Sequence, residues 1–104
     1  MTIPVRFLDE AVAELEDASA WYEQRRASLR LVLLASIDRT VDQVSRWPST
    51  GSLVEDVSDN LEVRRKSVSG FPYFLAYVAT EQGLTVLAVA RERRRPRYWS
   101  DRTR

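Results

Sequence analysis

The spacing of hydrophobic residues changes along the chain and separates a helical first half from a strand-rich second half. Residues 3–8 alternate apolar and other side chains, with Val5 and Phe7 on one side. This alternation predicts a short first strand. Pro4 has no backbone N–H, so we expect it at the start of this strand or facing a free edge.

The hydrophobic period then changes to three or four residues, which is typical of an amphipathic helix. The first stripe comprises Leu8, Ala11 and Val12, Leu15, Ala18 and Ser19, and Tyr22. We predict a helix with Asp9 as its N-cap that ends near Arg25 or Arg26. The acidic residues between apolar positions are predicted to face outward: Glu10, Glu14, Glu16, Asp17 and Glu23.

A second helix is predicted from near Ser28 to near Trp47, because Pro48 disfavours helical geometry in the residue before it. Its apolar stripe comprises Leu29 and Leu33, Leu34 and Ile37, Val41, and Val44. The short break between the two patterns predicts an antiparallel helical hairpin. The large aromatics Trp21, Tyr22 and Trp47 are expected to pack in the core or between the helices.

Three strand-like stretches follow a polar connector at residues 49–60. They cover residues 61–68, 71–80 and 84–93, and the short turns between them predict an antiparallel meander. With the helical hairpin covering one face of the sheet, the sequence predicts an α+β, two-layer fold. The whole chain, residues 1–104, is predicted to form a single domain.

Composition excludes several kinds of chemistry. The 104 residues include neither Cys nor His. Thiolate nucleophiles, Ser-His-Asp catalysis and zinc sites built from Cys or His are therefore excluded. No acidic cluster has metal-ligand spacing, so we expect no metal and no cofactor. No stretch has the length and apolarity of a membrane span or of a secretory signal, which predicts a cytoplasmic protein.

The net charge of +1 conceals an asymmetric distribution. Residues 1–60 carry six Arg and eleven Asp or Glu, a net charge of −5, whereas residues 61–104 carry nine Arg, one Lys and four Asp or Glu, a net charge of +6. The basic half is the candidate for anion binding. Its one lysine, Lys66, is a candidate for chemistry that needs a deprotonatable amine, which arginine cannot supply.

The basic half contains a strip of arginines that follows the apolar strand 86–90 and ends at two aromatic residues. The strip comprises Arg91, Arg93, Arg94, Arg95 and Arg97, followed by Tyr98 and Trp99. Guanidinium groups bind phosphate or carboxylate in a bidentate fork, and aromatic rings stack on bases or fill protein pockets. The strip predicts a nucleic-acid or acidic protein partner.

Basic residues also lie on the strand at 61–68. Alternation places Arg64 and Lys66 on one face and Arg65 on the other. Tyr73 and Tyr77, on the next strand, are expected to be core aromatics with their hydroxyls at the rim.

On the last strand, alternation predicts that Arg91 and Arg93 share a face with Leu87 and Val89. If that face is also the face of Arg64, the side chains form a cationic patch on the open side of the sheet.

The order of strand, helical hairpin, meander and basic-aromatic C terminus resembles that of the RelE/ParE toxins of bacterial type II toxin–antitoxin systems, over nearly the whole chain. The matching residues are A-x-x-E-L (Ala11, Glu14, Leu15), Trp21-Tyr22-Glu23, Pro48 after the second helix, Val63-Arg64-Arg65, Phe71-Pro72-Tyr73 with Tyr77, and A-V-A-x-x-R-R-x-P-x-Y-W from Ala88 to Trp99. The W-Y-E, F-P-Y and P-x-Y-W elements are nearer to the ParE side of the family.

The resemblance implies a growth-arresting toxin that forms a hetero-oligomer with its cognate antitoxin. It implies an antitoxin segment wrapped across the toxin as a helix or strand, with acidic residues paired to arginines. The residues expected to bind antitoxin or target are Arg64, Arg65, Arg91, Arg93, Arg94, Arg95, Arg97, Tyr98 and Trp99.

Two targets are compatible with the resemblance. We interpret the chain as a non-hydrolytic inhibitor of DNA gyrase or a similar target. The alternative is a ribosome-dependent mRNA endonuclease, which requires a base, a cation and an acid. Without His, the base is Lys66 or a carboxylate, the cation is Arg64, Arg91 or Arg93, and the acid is Tyr98.

Arg91 stands where the family often has His, which favours the non-hydrolytic interpretation. A third interpretation is a non-toxic module that binds nucleic acid or protein.

Overall fold

Five strands form one sheet, and two helices cover one of its faces. The computed structural model describes residues 3–55, 57, 60–92 and 98–103. In chain order the elements are β1 (Val5–Phe7), α1 (Asp9–Arg25), α2 (Ala27–Arg46), β2 (Ser52–Val54), β3 (Val63–Ser67), β4 (Tyr73–Thr80) and β5 (Gly83–Arg91), with short 3₁₀ helices at Pro48–Thr50 and Ser100–Thr103. This architecture confirms the predicted α+β class. None of the helices in the described ranges has the length and apolarity needed to cross a membrane.

The strand order across the sheet is β1-β5-β4-β3-β2. Strands β3, β4 and β5 form the predicted antiparallel meander, and β1 joins the sheet as the parallel neighbour of β5. Pro4 precedes β1, as predicted, and its carbonyl accepts a hydrogen bond from Leu84 N–H at 2.8 Å. Strand β2 was not predicted, because three mostly exposed residues are too short to show an alternating pattern.

The helix bounds agree with the prediction to within one or two residues, but the predicted cap of α1 is wrong. Leu8 occupies the N-cap with an extended backbone, and Asp9 is the first helical residue. No side chain caps this end. Asp9 and Glu10 lie instead in the first turn, where negative charge is favourable near the helix dipole.

The main core lies between the helices and one face of the sheet. The helices contribute Ala11, Ala18, Leu33, Ile37 and Val44, and the sheet contributes Tyr73, Leu75, Tyr77, Leu84, Val86 and Val89. Tyr73 and Tyr77 are therefore core residues, as predicted. The apolar stripes of both helices meet the inward positions of β4 and β5, which explains why the two periodicities could be identified from sequence.

A β-bulge in β5 interrupts the alternation. Ala76 pairs with Ala88 and Tyr77 pairs with Val86, so Leu87 has no partner on β4. As a result, Leu87 and Ala88 both lie in a second core on the other face of the sheet, whereas Val89 lies in the helix-side core. The prediction that Leu87 and Val89 share a face is therefore wrong, because the extra residue shifts the register by one.

Trp21 and Trp47 are largely exposed, at 42% and 63%, so the prediction that they pack in the core or between the helices is wrong. Tyr22 faces the sheet instead, with its ring centroid 5.0 Å from that of Phe71. Consecutive helical residues point about 100° apart, so Trp21 cannot share that direction. Trp21 is covered from outside by the Arg25 guanidinium, 3.4 Å from the ring centroid.

The hydroxyl of Tyr77 fixes the chain between α2 and β2 to the centre of the sheet. It donates a hydrogen bond to Pro48 C=O at 2.6 Å and accepts one from Gly51 N–H at 3.0 Å. Gly51 has no room for a side chain, because a Cβ would lie 2.7 Å from Arg65 C=O and still closer to the Tyr77 hydroxyl. This close contact, rather than an unusual backbone angle, requires glycine here.

We expect Gly51→Ala to lower the free energy of unfolding by about 1–3 kcal/mol, as overpacking does. Tyr77→Phe should cost a similar amount, about 1–3 kcal/mol, because it leaves two buried backbone groups without a partner. The double variant should cost less than the sum, since removing the hydroxyl relieves part of the clash. Urea unfolding measures all three, and Tyr73→Phe, whose hydroxyl has no hydrogen bond among the described residues, is the control. Full additivity would contradict the contact.

Stability should also fall at alkaline pH. Burial raises the pKa of Tyr77 above its usual value, against smaller lowering effects of the Gly51 hydrogen bond and the Arg64 charge. Burial likewise raises the pKa of Tyr73. The unfolded chain releases these protons first, so the contribution of the two tyrosines to the free energy of unfolding should be constant below about pH 9 and decrease as pH rises above about 10. Urea unfolding across this range checks it, and Tyr77→Phe should show a shallower decrease.

Candidate functional site

The basic residues of β3 lie on two different faces of the sheet. Arg64 pairs with Tyr77 and Lys66 with Leu75, so both side chains belong to the helix-covered face. Arg65 lies on the other face, with its guanidinium 3.9 Å from the Phe74 ring centroid. The alternation was predicted correctly. The expectation of an open-face patch that includes Arg64 and Lys66 is wrong, because their face is the one that the helices cover.

The Arg64 guanidinium binds backbone carbonyls of the connector, residues 49–60, instead of pointing freely into solvent. Its Nη1 donates hydrogen bonds to Gly51 C=O at 2.8 Å and to Ser49 C=O at 3.4 Å. Its Nη2 pairs with Glu62 at 3.0 Å. Together with the Tyr77 hydroxyl, these bonds attach both ends of the 3₁₀ helix to the sheet. The guanidinium of Arg64 thus has a structural use in the described fold.

Arg91 is exposed at the end of β5, paired with Tyr73. It lines a cleft of about 190 Å³ with residues of α1 and the C-terminal segment, among them Asp17, Trp21 and Tyr98. The cleft therefore combines a cation with aromatic surfaces. Four predicted binding residues lie outside the described residues: Arg93, Arg94, Arg95 and Arg97.

Glu14, which the sequence analysis placed on the outer face of α1, lines the other side of this cleft. Glu14 accepts hydrogen bonds from Val89 N–H at 3.1 Å, from the Tyr98 hydroxyl, and from Arg102 Nη1 at 2.9 Å. Its outward assignment is therefore wrong. Helical periodicity shows which direction a residue faces, but not that a distant C-terminal segment covers that direction.

Glu14 and Arg102 together take the place of a neighbouring strand. The hydrogen bonds between β1 and β5 end where Leu8 N–H donates to Val86 C=O at 3.0 Å. Beyond that point Glu14 accepts from Val89 N–H, and Arg102 Nη1 donates to Leu87 C=O at 3.0 Å. Two backbone groups beside the bulge are thereby satisfied by side chains, as buried backbone groups must be.

The Glu14–Arg102 ion pair is shielded from water, since the two side chains are 16% and 18% exposed. Burial opposes the charge of Arg102 and would lower its pKa. Hydrogen bonding and Coulomb attraction to Glu14, with smaller contributions from Tyr98 and Glu10, outweigh burial, so the pKa of Arg102 is raised. Removing one partner would leave the other charge poorly compensated, which is costly at a shielded site.

Trp99 anchors the C-terminal segment on the opposite face of the sheet. Its side chain is 2% exposed and belongs to the second core with Phe74, Ala76 and Leu87. Tyr98 packs against this core while its hydroxyl reaches Glu14. Segment 98–103 therefore crosses the edge of β5 and touches both faces of the sheet.

Arg91 and Tyr98, two of the residues proposed for RNA cleavage, line the same cleft, but the candidate base Lys66 is not beside them. Lys66 lies on β3, and Tyr98 bonds to Glu14 beyond the edge of β5, with β4 between the two strands. Neighbouring strands lie about 4.8 Å apart. Between Lys66 and Glu14 the helix-covered face is filled by Leu75 and Val89, which are both buried. Lys66 and Tyr98 are thus separated by strands β4 and β5 and by these buried side chains.

No protein-family model matches the chain, and no curated protein does. A solved structure is similar: a chain from the chromosomal ParDE TA system of P. aeruginosa, with a TM-score of 0.70 and 14% sequence identity. The similarity covers 86% of this chain and 96% of that chain. This protein has a ParDE-like fold. The fold expected from the resemblance is thereby confirmed, and at this identity the likeness concerns the fold alone.

Within the ParDE-like fold, the described ends of the arginine strip are held in different ways. Arg91 continues strand β5, whereas Tyr98 and Trp99 are held by side-chain contacts on both faces of the sheet. Arg102, which holds this segment to Glu14, was not singled out from sequence. A lone arginine near the C terminus gives no signal that distinguishes an ion pair from a solvated charge.

We expect Trp99→Ala to lower the free energy of unfolding by about 3–5 kcal/mol, as for other buried aromatic truncations. Trp47→Ala should cost less than about 0.5 kcal/mol, because its side chain is mostly in water. Urea unfolding followed by circular dichroism compares the two, and Trp99→Phe is the milder variant if Trp99→Ala does not fold. Equal losses from the two Trp→Ala variants would contradict the burial of Trp99.

Proposed function

We propose that this protein is the toxin of a type II toxin–antitoxin system and that a cognate antitoxin neutralises it. The fold likeness to a chain of a ParDE TA system supports this proposal. The charge distribution also supports it, since the C-terminal 44 residues carry a net charge of +6. A basic surface of this kind suits an acidic partner segment or a nucleic-acid-bound target.

We further propose that growth arrest works by inhibition of DNA gyrase or a similar target, without RNA cleavage. The observation that carries this choice is the position of Tyr98. Its hydroxyl donates to the Glu14 carboxylate beside β5, whereas Lys66 lies on β3, with Leu75 and Val89 between them. Glu14, a carboxylate candidate for the base, is already paired with Arg102. A cleavage mechanism needs its base, cation and acid around one phosphate. Arg91 lies beside Tyr98 in the cleft between α1 and β5, which suits recognition by a cation next to aromatic rings.

The exposed surface of the cleft suggests where an antitoxin could bind. Trp21 and Arg91 are exposed, and they line the same cleft as Asp17 and Tyr98. An antitoxin segment with an acidic residue for Arg91 and an apolar residue for Trp21 would match these side chains. Segments of this kind fold on binding and bury extended surfaces.

Induced expression without antitoxin, followed by pulse labelling, tests the proposal. We expect DNA synthesis to stop before protein synthesis, with a damage response and without mRNA fragments. Lys66→Ala should arrest growth as the wild type does, because no proton transfer depends on the amine. Arg91→Ala should weaken arrest by about tenfold or more, as loss of a binding hot spot does. Arg39→Ala, an exposed arginine on α2, is the matched control.

Two other results of the same experiment would contradict this proposal. An early stop in protein synthesis with mRNA fragments would show a ribonuclease, and loss of those fragments in Lys66→Ala would identify Lys66 as its base. Continued growth with the folded protein present would leave a non-toxic binding module.

A further inference from the structure

The Glu14 carboxylate joins three separate parts of the chain. It lies on α1 and accepts from Val89 N–H on β5 and from Tyr98 and Arg102 in the C-terminal segment. A second bond from Arg102, through Nη2, reaches Oε2 at 3.3 Å. A carboxylate offers about four acceptor sites, so these contacts use its capacity. We call Glu14, Tyr98 and Arg102 the C-terminal clasp.

The clasp supplies side-chain hydrogen bonds that hold segment 98–103 against α1 and β5. Within this segment the backbone forms one turn, in which Arg102 N–H donates to Trp99 C=O at 3.0 Å. Ser100–Thr103 form a short 3₁₀ helix that is not part of the sheet. The buried Trp99 ring, the clasp and the hydrogen bond from Arg102 to Leu87 C=O all contribute to its position. The Trp99 ring anchors the segment in the second core. The clasp sets the orientation of the Tyr98 side chain over the edge of β5.

The clasp also sets one wall of the α1–β5 cleft. Tyr98 lines this cleft with Arg91 and Trp21, and the Arg102 guanidinium carbon is 5.3 Å from the centroid of the Tyr98 ring. Glu14 binds the hydroxyl of the same tyrosine, so both charges of the ion pair contact it. Displacement of either charge would move the ring relative to Arg91.

We infer that Glu14 is a positioning residue that, through the clasp, holds Tyr98 beside Arg91 in the arrangement that the target recognises. This inference rests on the proposed function and deepens it, because it says how the recognition surface is kept in place. It assigns Glu14 no contact with the target. Its effect acts through Tyr98 and Arg102, and a readout of segment position distinguishes it from general stability.

The first test measures whether the clasp exists in solution, independently of toxicity. Hydrogen exchange by NMR is compared for Glu14→Ala and for Glu16→Ala, an exposed carboxylate on the same helix. Alanine favours helix, so α1 should persist in both variants. We expect the Val89 amide of Glu14→Ala to exchange about 10- to 100-fold faster, as for loss of one hydrogen bond to a charged group. The Leu84 amide, which bonds to Pro4, should be unchanged in both variants.

The second test measures growth arrest by the same variants in the absence of antitoxin. We expect Glu14→Ala and Arg102→Gln to weaken arrest by about tenfold or more, the factor that loss of a positioned binding contact gives. Arg102→Lys keeps the charge and should recover part of the arrest. Glu16→Ala should match the wild type. Arg102→Gln retains an amide that can donate a hydrogen bond to Glu14, so it is the milder variant if Glu14→Ala does not fold.

Each outcome decides a different statement. Unchanged Val89 exchange in Glu14→Ala would overturn the clasp. Faster exchange with wild-type arrest would overturn the positioning role and leave Glu14 as a structural residue. Absence of arrest by the wild-type chain would overturn the proposed function, and with it the role in target recognition, while the exchange comparison would still decide whether the clasp holds the segment.

Discussion

The fold depends on the hydrogen bonds made by the backbone groups of β5 beside its bulge, where the described residues supply no neighbouring strand on that side. A bulge leaves backbone groups out of the regular ladder, and here β1 ends before it reaches them. Glu14 and Arg102 supply the missing acceptor and donor to Val89 and Leu87. The same two side chains hold the C-terminal segment, in which Trp99 packs into the second core. One ion pair thus connects α1 to β5, completes the hydrogen bonding at the edge of β5, and holds the segment that covers the second face of the sheet.

Much of this fold follows from local patterns in the sequence. The two helical stripes and the strand alternation predicted both helices, β1 and the β3–β4–β5 meander, because each pattern reflects burial along a single element. What the patterns could not predict were features set by contacts between distant residues. The bulge at Leu87 is invisible in an apolar stretch, since every residue there is buried on one face or the other. The partner of Glu14 lies 88 residues away.

The arginines show the same limit for the site. In sequence they form one basic half, whereas the structure gives them different environments. Arg64 is engaged with the connector, Arg65 stacks on Phe74, and Arg91 is exposed in the cleft. Arg102 is paired and shielded. Composition predicted a basic half, but which cations face a partner depends on the neighbours that the fold supplies.

These environments bear on the choice between binding and catalysis. Chemistry on a phosphate requires groups that can exchange protons and approach the same atom, and a chain without His has few of them. Lys66 and Tyr98 are separated by buried side chains, and Tyr98 is engaged with a carboxylate. Recognition requires only a positioned charge and a rigid apolar surface. Binding costs less conformational entropy when the protein already holds each group in place. A cleft whose tyrosine is fixed by an ion pair and whose arginine lies at the end of strand β5 meets the second requirement better than the first.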